Sequence, residues 1–364
     1  VEVDNRCRSL STMSSARILS LLVVVGVCGR WTAAFENYSS RLHRPPVAHA
    51  RNPIGMQVLK SSQSDSHDNE EKLSQEIVDL MSKHDPILLF ASKFLPPATA
   101  KDASALYAWC RRLDEITDDV NADLVTIQQR LAEWDDRFDA LCDGRPVDGM
   151  DAALAQCLQR NEGALTEQPF QDMIAGMKSD AVDGRTVENI DELEVYAYRV
   201  AGTVGLMLLP LLEADMDRAR VPAIALGKAI QLINILRDAA PDAALGRVYL
   251  PLDMLASENV SNEDILNLQS SDGYRRVVRK VADRAGELLA EAEIGKSTLP
   301  GLGPLFVQII VELYRGYLIK LKQLDYDNLN AEGERVKIST LQKIAASGNA
   351  IYATYSPFSE TSAK

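Results

Sequence analysis

Apolar residues at helical spacing run through almost the whole chain, and this periodicity restricts the fold more than any other feature. Within residues 70–83, for example, Leu73, Ile77 and Leu80 fall on one face of a helix. The same pattern predicts helices over residues 70–83, 101–120, 124–142, 150–159, 169–180, 191–213, 219–240, 273–292 and 302–324. Alternating strand patterns of any length are absent from the sequence, and no mid-chain linker divides it. We therefore predict one all-α domain.

The distribution of charge separates the first 64 residues from the rest. The whole chain has 39 Lys and Arg against 52 Asp and Glu, a net charge of −13. Residues 1–64 hold eight basic and three acidic residues, which leaves 31 basic and 49 acidic for the remaining 300. Such an acidic body lacks the basic face that nucleic-acid binding needs, so no nucleic-acid partner is expected. The five cysteines include no C-x-x-C pair, which excludes a zinc knuckle and a disulfide framework.

The basic amino-terminal segment has the composition of a targeting sequence. Arg17 precedes an apolar run over 18–28, and Thr32, Ala33 and Ala34 are small residues of the kind that a signal peptidase prefers. A buried core strand is the alternative interpretation of this run. Residues 37–64 contain no acidic residue but several Arg and Ser, as in a transit peptide. We predict a presequence over 1–64, signal-like at 17–34 and transit-like at 35–64, which resembles the bipartite presequences of algae with complex plastids.

The first candidate site is a charged segment, YAWCRRLDEITD, that begins at Tyr107. Asp114 and Asp118 are four residues apart, which places their carboxylates on one helix face, about 5–6 Å from each other. That spacing suits divalent cations that bridge carboxylates and a substrate diphosphate. Arg111, one turn earlier, can reach the same phosphate. The alternative interpretation is a solvated helix face, on which two aspartates at this spacing are unremarkable.

The second candidate site is a polar stripe on an otherwise apolar helix. In the segment QLINILRDAAPDAALGRVYLP, Asn234, Asp238 and Asp242 recur every four residues, and Gln231 lies one turn ahead. Polar groups on a buried helix are costly unless they are paired or bound to metal. Two acidic stripes on separate helices can face each other across a cavity and hold metal ions with a diphosphate. A helix end with a polar cap is the alternative. Two downstream residues could close over the phosphate: Arg247 and Tyr249.

Between these two motifs lies a helical segment with small residues in its interior, YAYRVAGTVGLM, residues 196–207. Glycine inside a helix costs about 1 kcal/mol relative to alanine, and such a cost usually has a packing or functional reason. The missing side chains would let a long apolar substrate lie against the backbone, or would let two helices approach closely. Both interpretations stay open at this point.

These three segments, in this order and at this spacing, resemble the signature regions of the squalene/phytoene synthase family of trans-prenyltransferases. The resemblance covers roughly residues 84–344 and includes LCDGRPVDGMDAAL, FQDMIAGMKSD and LDYDNL. It implies an all-α isoprenoid synthase fold around a central cavity. It also implies the head-to-head condensation of two geranylgeranyl diphosphates to phytoene through prephytoene diphosphate, with release of diphosphate. The cofactor implied is Mg²⁺ or Mn²⁺, and no NADPH is expected.

The resemblance assigns roles residue by residue. It implies five metal ligands: Asp114, Asp118, Asn234, Asp238 and Asp242. The residues that it implies for catalysis are Asp114, Asp118, Asp238, Asp242, Arg111 and Tyr196. Those that it implies for substrate binding are Tyr107, Arg111, Val200, Ala201, Val204, Gly205, Gln231, Arg237, Arg247 and Tyr249.

The expected organisation is a plastid presequence, a catalytic domain over 65–356 and a short polar tail over 357–364. Expected partners are an isoprenoid diphosphate substrate, enzymes of the carotenoid pathway and, through peripheral association, a plastid membrane. One alternative function is a squalene or dehydrosqualene synthase that uses farnesyl diphosphate. Another is a catalytically silent family member that serves as an assembly factor.

Two departures from the family pattern bear on the site. Ala240 and Pro241 stand where the family usually has Gly-Glu. A proline inside a helix removes a hydrogen-bond donor and kinks the helix, so Asp242 is expected to project differently. Residues 86–90 are more apolar than the family's corresponding segment, which normally helps to cover the phosphates.

Overall fold

The structure is a computed structural model that describes residues 57–84, 89, 92–93, 95–119, 121–182, 185–329 and 333–355, with side chains from residue 71 onward. Within these ranges there is no β-strand. The helices are α1 (Gln57–His84), α2 (Pro97–Thr117), α3 (Leu124–Cys142), α4 (Gly149–Arg160), α5 (Gln168–Asp180), α6 (Ile190–Ala197), a π-helical turn (Tyr198–Gly202), α7 (Thr203–Leu211), α8 (Met216–Arg237), α9 (Ala239–Ala244), α10 (Leu252–Ser257), α11 (Asn262–Leu266), α12 (Asp272–Gly295), a 3₁₀ turn (Lys296–Thr298), α13 (Gly303–Gln323) and α14 (Thr340–Tyr355).

Most predicted helices lie within a few residues of the observed ones, and α3 agrees at both ends. Asp123 begins α3 as a cap, because its carboxylate accepts a hydrogen bond of 2.8 Å from Thr126 N. The first helix begins at Gln57 rather than at residue 70, and it runs across the predicted end of the presequence. Residues 57–72 contain no Gly or Pro, so they can be helical without the apolar stripe on which the prediction relied. Presequence residues 1–56 and residues 86–88 and 90 lie outside the described residues.

The core has an aromatic cluster that holds α2, α3 and α5 together. Ring centroids of Trp109 and Phe170 are 5.0 Å apart in an edge-on arrangement, and those of Phe138 and Phe170 are 4.9 Å apart and stacked. All three side chains are buried, and burial of each aromatic side chain contributes roughly 1.5–3 kcal/mol. The cluster fixes the middle of α2, five residues before Asp114 of the first acidic motif.

The segment predicted as one helix over 191–213 forms α6, a π-helical turn and α7 in succession. The wider turn covers Tyr198–Gly202, the stretch with the small residues. Such turns insert one residue into a helix and often occur at functional sites. Here the turn lies directly after Tyr196, one of the predicted site residues.

Pro241 explains why the helix predicted over 219–240 ends early. Proline has no N–H to donate to the carbonyl oxygen of Arg237, and its ring crowds that carbonyl. Accordingly α8 ends at Arg237 and α9 begins at Ala239. The freed Arg237 carbonyl oxygen accepts a hydrogen bond of 2.8 Å from Val336 N instead. Pro241 thus disturbs the helix as expected. The resulting break places Asn234 and Asp242 on two different helices.

Candidate active site

The two acidic motifs come together at Arg247, whose guanidinium group contacts the first motif and whose backbone N–H contacts the second. Its Nη1 lies 3.5 Å from Asp118 Oδ1, and its Nη2 donates a hydrogen bond of 3.0 Å to the carbonyl oxygen of Thr117. Its backbone N–H donates to the carbonyl oxygen of Asp242 at 2.9 Å and closes the turn after α9. One residue therefore connects the end of α2 to the turn after α9, so the structure brings these two segments together.

The carboxylates of the first motif are paired with basic side chains. Arg111 Nη1 donates to Asp114 Oδ2 at 2.6 Å across one helical turn. Asp118 follows the last residue of α2, is half-exposed and lies beside Arg247. Asp119 turns away to α3, where Arg130 Nη1 donates to its carboxylate at 2.7 Å. The first motif is close to charge balance without any bound ion.

The second motif contains an amide oxygen without a hydrogen-bond donor and a carboxyl group whose pKa is raised. The Asn234 Oδ1 atom is buried and accepts no hydrogen bond from any described residue, a costly arrangement for a carbonyl oxygen. Burial raises the pKa of the Asp242 carboxyl to about 7, aided by the negative charge of Asp238 and opposed by Arg247. Two more carboxylates act on Asp242 in the same direction as Asp238: Asp118 and Asp180.

This donor set fits a divalent cation. Amide and carboxylate oxygens are the ligands that Mg²⁺ and Mn²⁺ prefer, and a cation would satisfy the buried Asn234 Oδ1 and remove the repulsion around Asp242. Asp238, however, faces two arginines: Arg237 Nη2 lies 2.5 Å from its Oδ2, and Arg335 Nε lies 3.4 Å from its Oδ1. Among the described residues, no three carboxylate, histidine or cysteine side chains are arranged as a ready-made metal centre. Direct binding of a cation by Asp238 would require its carboxylate to give up contacts with these arginines.

A buried aspartate that the sequence reasoning missed lies beside the predicted tyrosines. Asp180 Oδ2 accepts hydrogen bonds from the hydroxyls of Tyr196, at 2.7 Å, and Tyr249, at 3.3 Å. Burial raises the pKa of the Asp180 carboxyl and raises the pKa of Tyr196 well above its ordinary value. One signal could have revealed Asp180: it is the last residue of α5, where the helix dipole disfavours a negative charge.

The small residues after Tyr196 let two helices approach closely. A side chain at Gly205 would come within 2.7 Å of the Ala223 carbonyl oxygen, and one at Gly227 within 2.5 Å of the Ala201 carbonyl oxygen. Close packing against α8 therefore accounts for these glycines. Val200 is buried, while Ala201 and Val204 are half-buried against the main core. Their predicted contact with substrate stays a prediction.

The remaining predicted residues lie on the same helices. Tyr107 packs on α2 against the apolar cluster that includes Ile77 and Met81 of α1. Gln231 is half-buried on α8, one turn before Asn234. Arg237 lies between the Asp238 carboxylate and the ring of Tyr317. The Arg237 Cζ is 5.7 Å from the centroid of that ring.

The family profile of squalene/phytoene synthase matches residues 81–342. The chain belongs to this family, which confirms the resemblance of its motifs. Chloroplastic phytoene synthase 1 of Arabidopsis thaliana is 35% identical over 311 residues, covering 79% of this chain and 72% of the relative. Chloroplastic phytoene synthase 2 of Solanum lycopersicum is 41% identical over 230 residues, covering 62% and 73%. The 15-cis-phytoene synthase of Synechocystis is 37% identical over 262 residues, covering 69% and 76%.

Solved structures confirm the fold class. A crystal structure of a dehydrosqualene synthase in complex with ligand matches with a TM-score of 0.70 and 28% identity, covering 79% of this chain and 98% of that one. The squalene synthase HpnC of Alicyclobacillus acidocaldarius matches with a TM-score of 0.63 and 24% identity, covering 70% and 94%. The second similarity supports the fold alone. The predicted all-α isoprenoid synthase fold is therefore correct.

Proposed function

We propose that this protein is a phytoene synthase, a prenyltransferase that joins two geranylgeranyl diphosphates head to head and releases diphosphate. The observation that carries the proposal is the junction at Arg247, where both acidic motifs of a squalene/phytoene synthase chain come together. Three phytoene synthases at 35–41% identity support the same activity. Prephytoene diphosphate is the intermediate that the family resemblance implies.

The acidic motifs bind the diphosphate end of the substrate together with divalent cations. Asp114 and Asp118 serve one diphosphate, and the proposed ligands on the other side are Asn234, Asp238 and Asp242. When bound, Mg²⁺ or Mn²⁺ stabilises the negative charge of the departing diphosphate. Arg111 and Arg247 supply guanidinium groups that match phosphate oxygens in geometry, and Arg237 holds Asp238 until the ion arrives.

The hydrocarbon end of the substrate is proposed to lie beside Tyr196 and the segment after it. Apolar residues of this segment keep water away from the allylic cation that remains when diphosphate departs. The substrate contacts proposed here are those of Tyr107, Val200, Ala201, Val204, Gly205, Gln231 and Tyr249. The hydroxyl of Tyr196 is a dipole close to the place where this positive charge develops.

The chloroplastic relatives support a plastid location. We further propose that residues 1–64 form a bipartite presequence. Among the described helices, α8 alone is long and apolar enough to cross a membrane, but it is a core helix and carries Asn234 near its end. Peripheral association with a plastid membrane and contact with carotenoid-pathway enzymes are proposed on the basis of the apolar product. Recovery of all the protein in the soluble fraction after organelle lysis would contradict membrane association.

The test is a single incubation with product identification. The purified protein is given geranylgeranyl diphosphate and Mg²⁺, without NADPH, and the organic extract is analysed by liquid chromatography. Phytoene and inorganic diphosphate are the expected products. A folded preparation, verified by circular dichroism, that forms no phytoene would overturn the proposal and would favour the catalytically silent assembly factor.

A second candidate activity rests on the dehydrosqualene synthase structure at 28% identity. That protein's fold is shared over 79% of this chain, so farnesyl diphosphate is the alternative substrate to test. Parallel incubations with farnesyl diphosphate, with and without NADPH, distinguish squalene from dehydrosqualene formation. A higher kcat/KM for farnesyl than for geranylgeranyl diphosphate would assign the protein to this second activity.

A further inference from the structure

Asp180 is a largely buried carboxylate to which the proposed function assigns no role. It ends α5, and only about 13% of its side chain is exposed. Its Oδ2 atom accepts two hydroxyl hydrogen bonds, from Tyr196 of α6 and from Tyr249 of the loop after α9. A single carboxylate oxygen thus ties together three separate parts of the chain.

The other oxygen of this carboxylate has no directional partner. Asp180 Oδ1 is buried and accepts no hydrogen bond from the described residues, although Arg185 Nε lies 3.3 Å away. The Arg185 guanidinium instead lies over the Tyr196 ring, with its Cζ 4.6 Å from the centroid. A buried charge that is only partly satisfied is costly, so stability alone is a poor explanation for this aspartate.

Tyr196 is held by contacts on its ring as well as on its hydroxyl. Its ring stacks on that of Tyr249, with centroids 5.7 Å apart and planes 13° apart. Tyr249 is two residues from Arg247, which joins the acidic motifs. The Asp180–Tyr196–Tyr249 cluster is therefore continuous with the junction of the two motifs. The negative charge of Asp180 acts on Asp242 and Arg247 and raises the pKa of both groups.

We propose that Asp180 is a positioning residue of the prenyltransferase reaction, which acts through Tyr196 by fixing its hydroxyl next to the meeting point of the two acidic motifs. A hydroxyl that donates to a carboxylate carries more negative charge on its oxygen, which stabilises positive charge nearby. The inference rests on the proposed function and deepens it.

The molecule offers a matched control on α5, in a hydrogen bond to the π-helical turn that follows α6. Asp172 Oδ2 accepts a hydrogen bond of 2.6 Å from the hydroxyl of Tyr198, two turns earlier on α5. In this pair, as in Asp180–Tyr196, a tyrosine hydroxyl donates to an aspartate carboxylate, but Tyr198 is only half-buried. Asp172→Asn therefore removes a carboxylate–tyrosine bond of the same kind, at a tyrosine that packs against Leu206, Leu209 and Ala219 and not on the ring of Tyr249.

The experiment compares Asp180→Asn and Asp172→Asn in the full chain, with geranylgeranyl diphosphate and Mg²⁺. Asp180→Asn should lower kcat by about 10- to 100-fold, the range for loss of a hydrogen bond to a charged group, and should change KM less than threefold. Asp172→Asn should keep kcat within about twofold of the wild type. Equal losses in the two variants, or a loss confined to KM, would overturn the inference.

Tyr196→Phe shows whether Asp180 acts through the tyrosine. If it does, adding Asp180→Asn to Tyr196→Phe should lower kcat by less than about threefold further, because coupled residues are not additive. Losses that multiply, together with a lower Tm for Asp180→Asn than for Asp172→Asn, would mean a structural role and overturn the inference. A folded wild-type protein without product would refute the proposed function instead, so the two failures can be told apart.

Discussion

The two acidic motifs differ in how their charge is balanced. Asp114 pairs with Arg111 on the same helix, and the half-exposed Asp118 lies beside Arg247. In the second motif, Asn234 has a buried carbonyl oxygen without a donor, and Asp242 is half-buried near other carboxylates. The first motif can therefore exist without a bound ion at little cost, whereas the second leaves an amide oxygen unpartnered and holds Asp242 against repulsion by other carboxylates.

The largest effect is expected from removing one carboxylate from either motif. Asp114→Ala or Asp238→Ala should lower kcat at least about 10³-fold, because several kcal/mol of leaving-group stabilisation depend on the ions that we propose they hold. The helical circular dichroism spectrum should be unchanged. Asp283→Ala, an exposed position on α12, is the control and should keep wild-type activity. Retained activity in Asp238→Ala would contradict the metal assignment.

The next prediction concerns stability and uses the raised pKa of Asp242. Its ordinary value is 3.8 and its value in the fold is about 7, so between these pH values the folded state holds a proton that the unfolded state has lost. The free energy of unfolding of the metal-free protein should therefore fall as pH rises from about 4 to 7, by on the order of 3 kcal/mol.

Asp242→Asn should remove this fall, so the metal-free variant should be more stable than the wild type at pH 7.5 and nearly equal to it at pH 4. Urea unfolding at several pH values measures the difference. Added Mg²⁺ should stabilise the wild type at pH 7.5 more than the variant. If the variant follows the wild-type pH dependence, ionisation of Asp242 does not destabilise the fold.

Much of this comparison could be predicted from sequence, because the four-residue spacing of the aspartates and the helical periodicity are local properties. The helix predicted over 101–120 ends at Thr117, so Asp114 lies in its last turn and Asp118 follows it, and Pro241 predicted the disturbance of the helix before Asp242.

Other features depend on contacts between distant segments, which periodicity does not encode. The hydrogen bond from Val336 to the freed Arg237 carbonyl oxygen is one example. Asp180 is another, because its partners come from α6 and from the loop after α9. The start of α1 at Gln57 was missed because that stretch is polar, and α14 was not predicted.

A smaller effect is expected where the helix of the second motif packs against its neighbour. Gly227→Ala would place a methyl group 2.5 Å from backbone atoms of Ala201 and Gly202, and overpacking of this kind costs about 1–3 kcal/mol. Gly286→Ala on α12 is the control, because its new methyl group would meet only Leu318 Cδ1 at 3.8 Å. It should be neutral or stabilising by about 0.4–1 kcal/mol. Equal Tm values for the two variants would contradict close packing at Gly227.

The smallest predicted effect isolates the amide oxygen that distinguishes the second motif from the first. Asn234→Ala removes the buried carbonyl oxygen without changing net charge, so it should weaken Mn²⁺ binding by about tenfold, or 1.4 kcal/mol. Electron paramagnetic resonance of free Mn²⁺ measures this without substrate turnover. Asn267→Ala, at an exposed asparagine whose amide donates to the Glu263 carbonyl oxygen, should leave Mn²⁺ affinity unchanged. Unchanged affinity in Asn234→Ala would mean that the unpartnered oxygen is satisfied by water, and the contrast between the motifs would then rest on Asp242 alone.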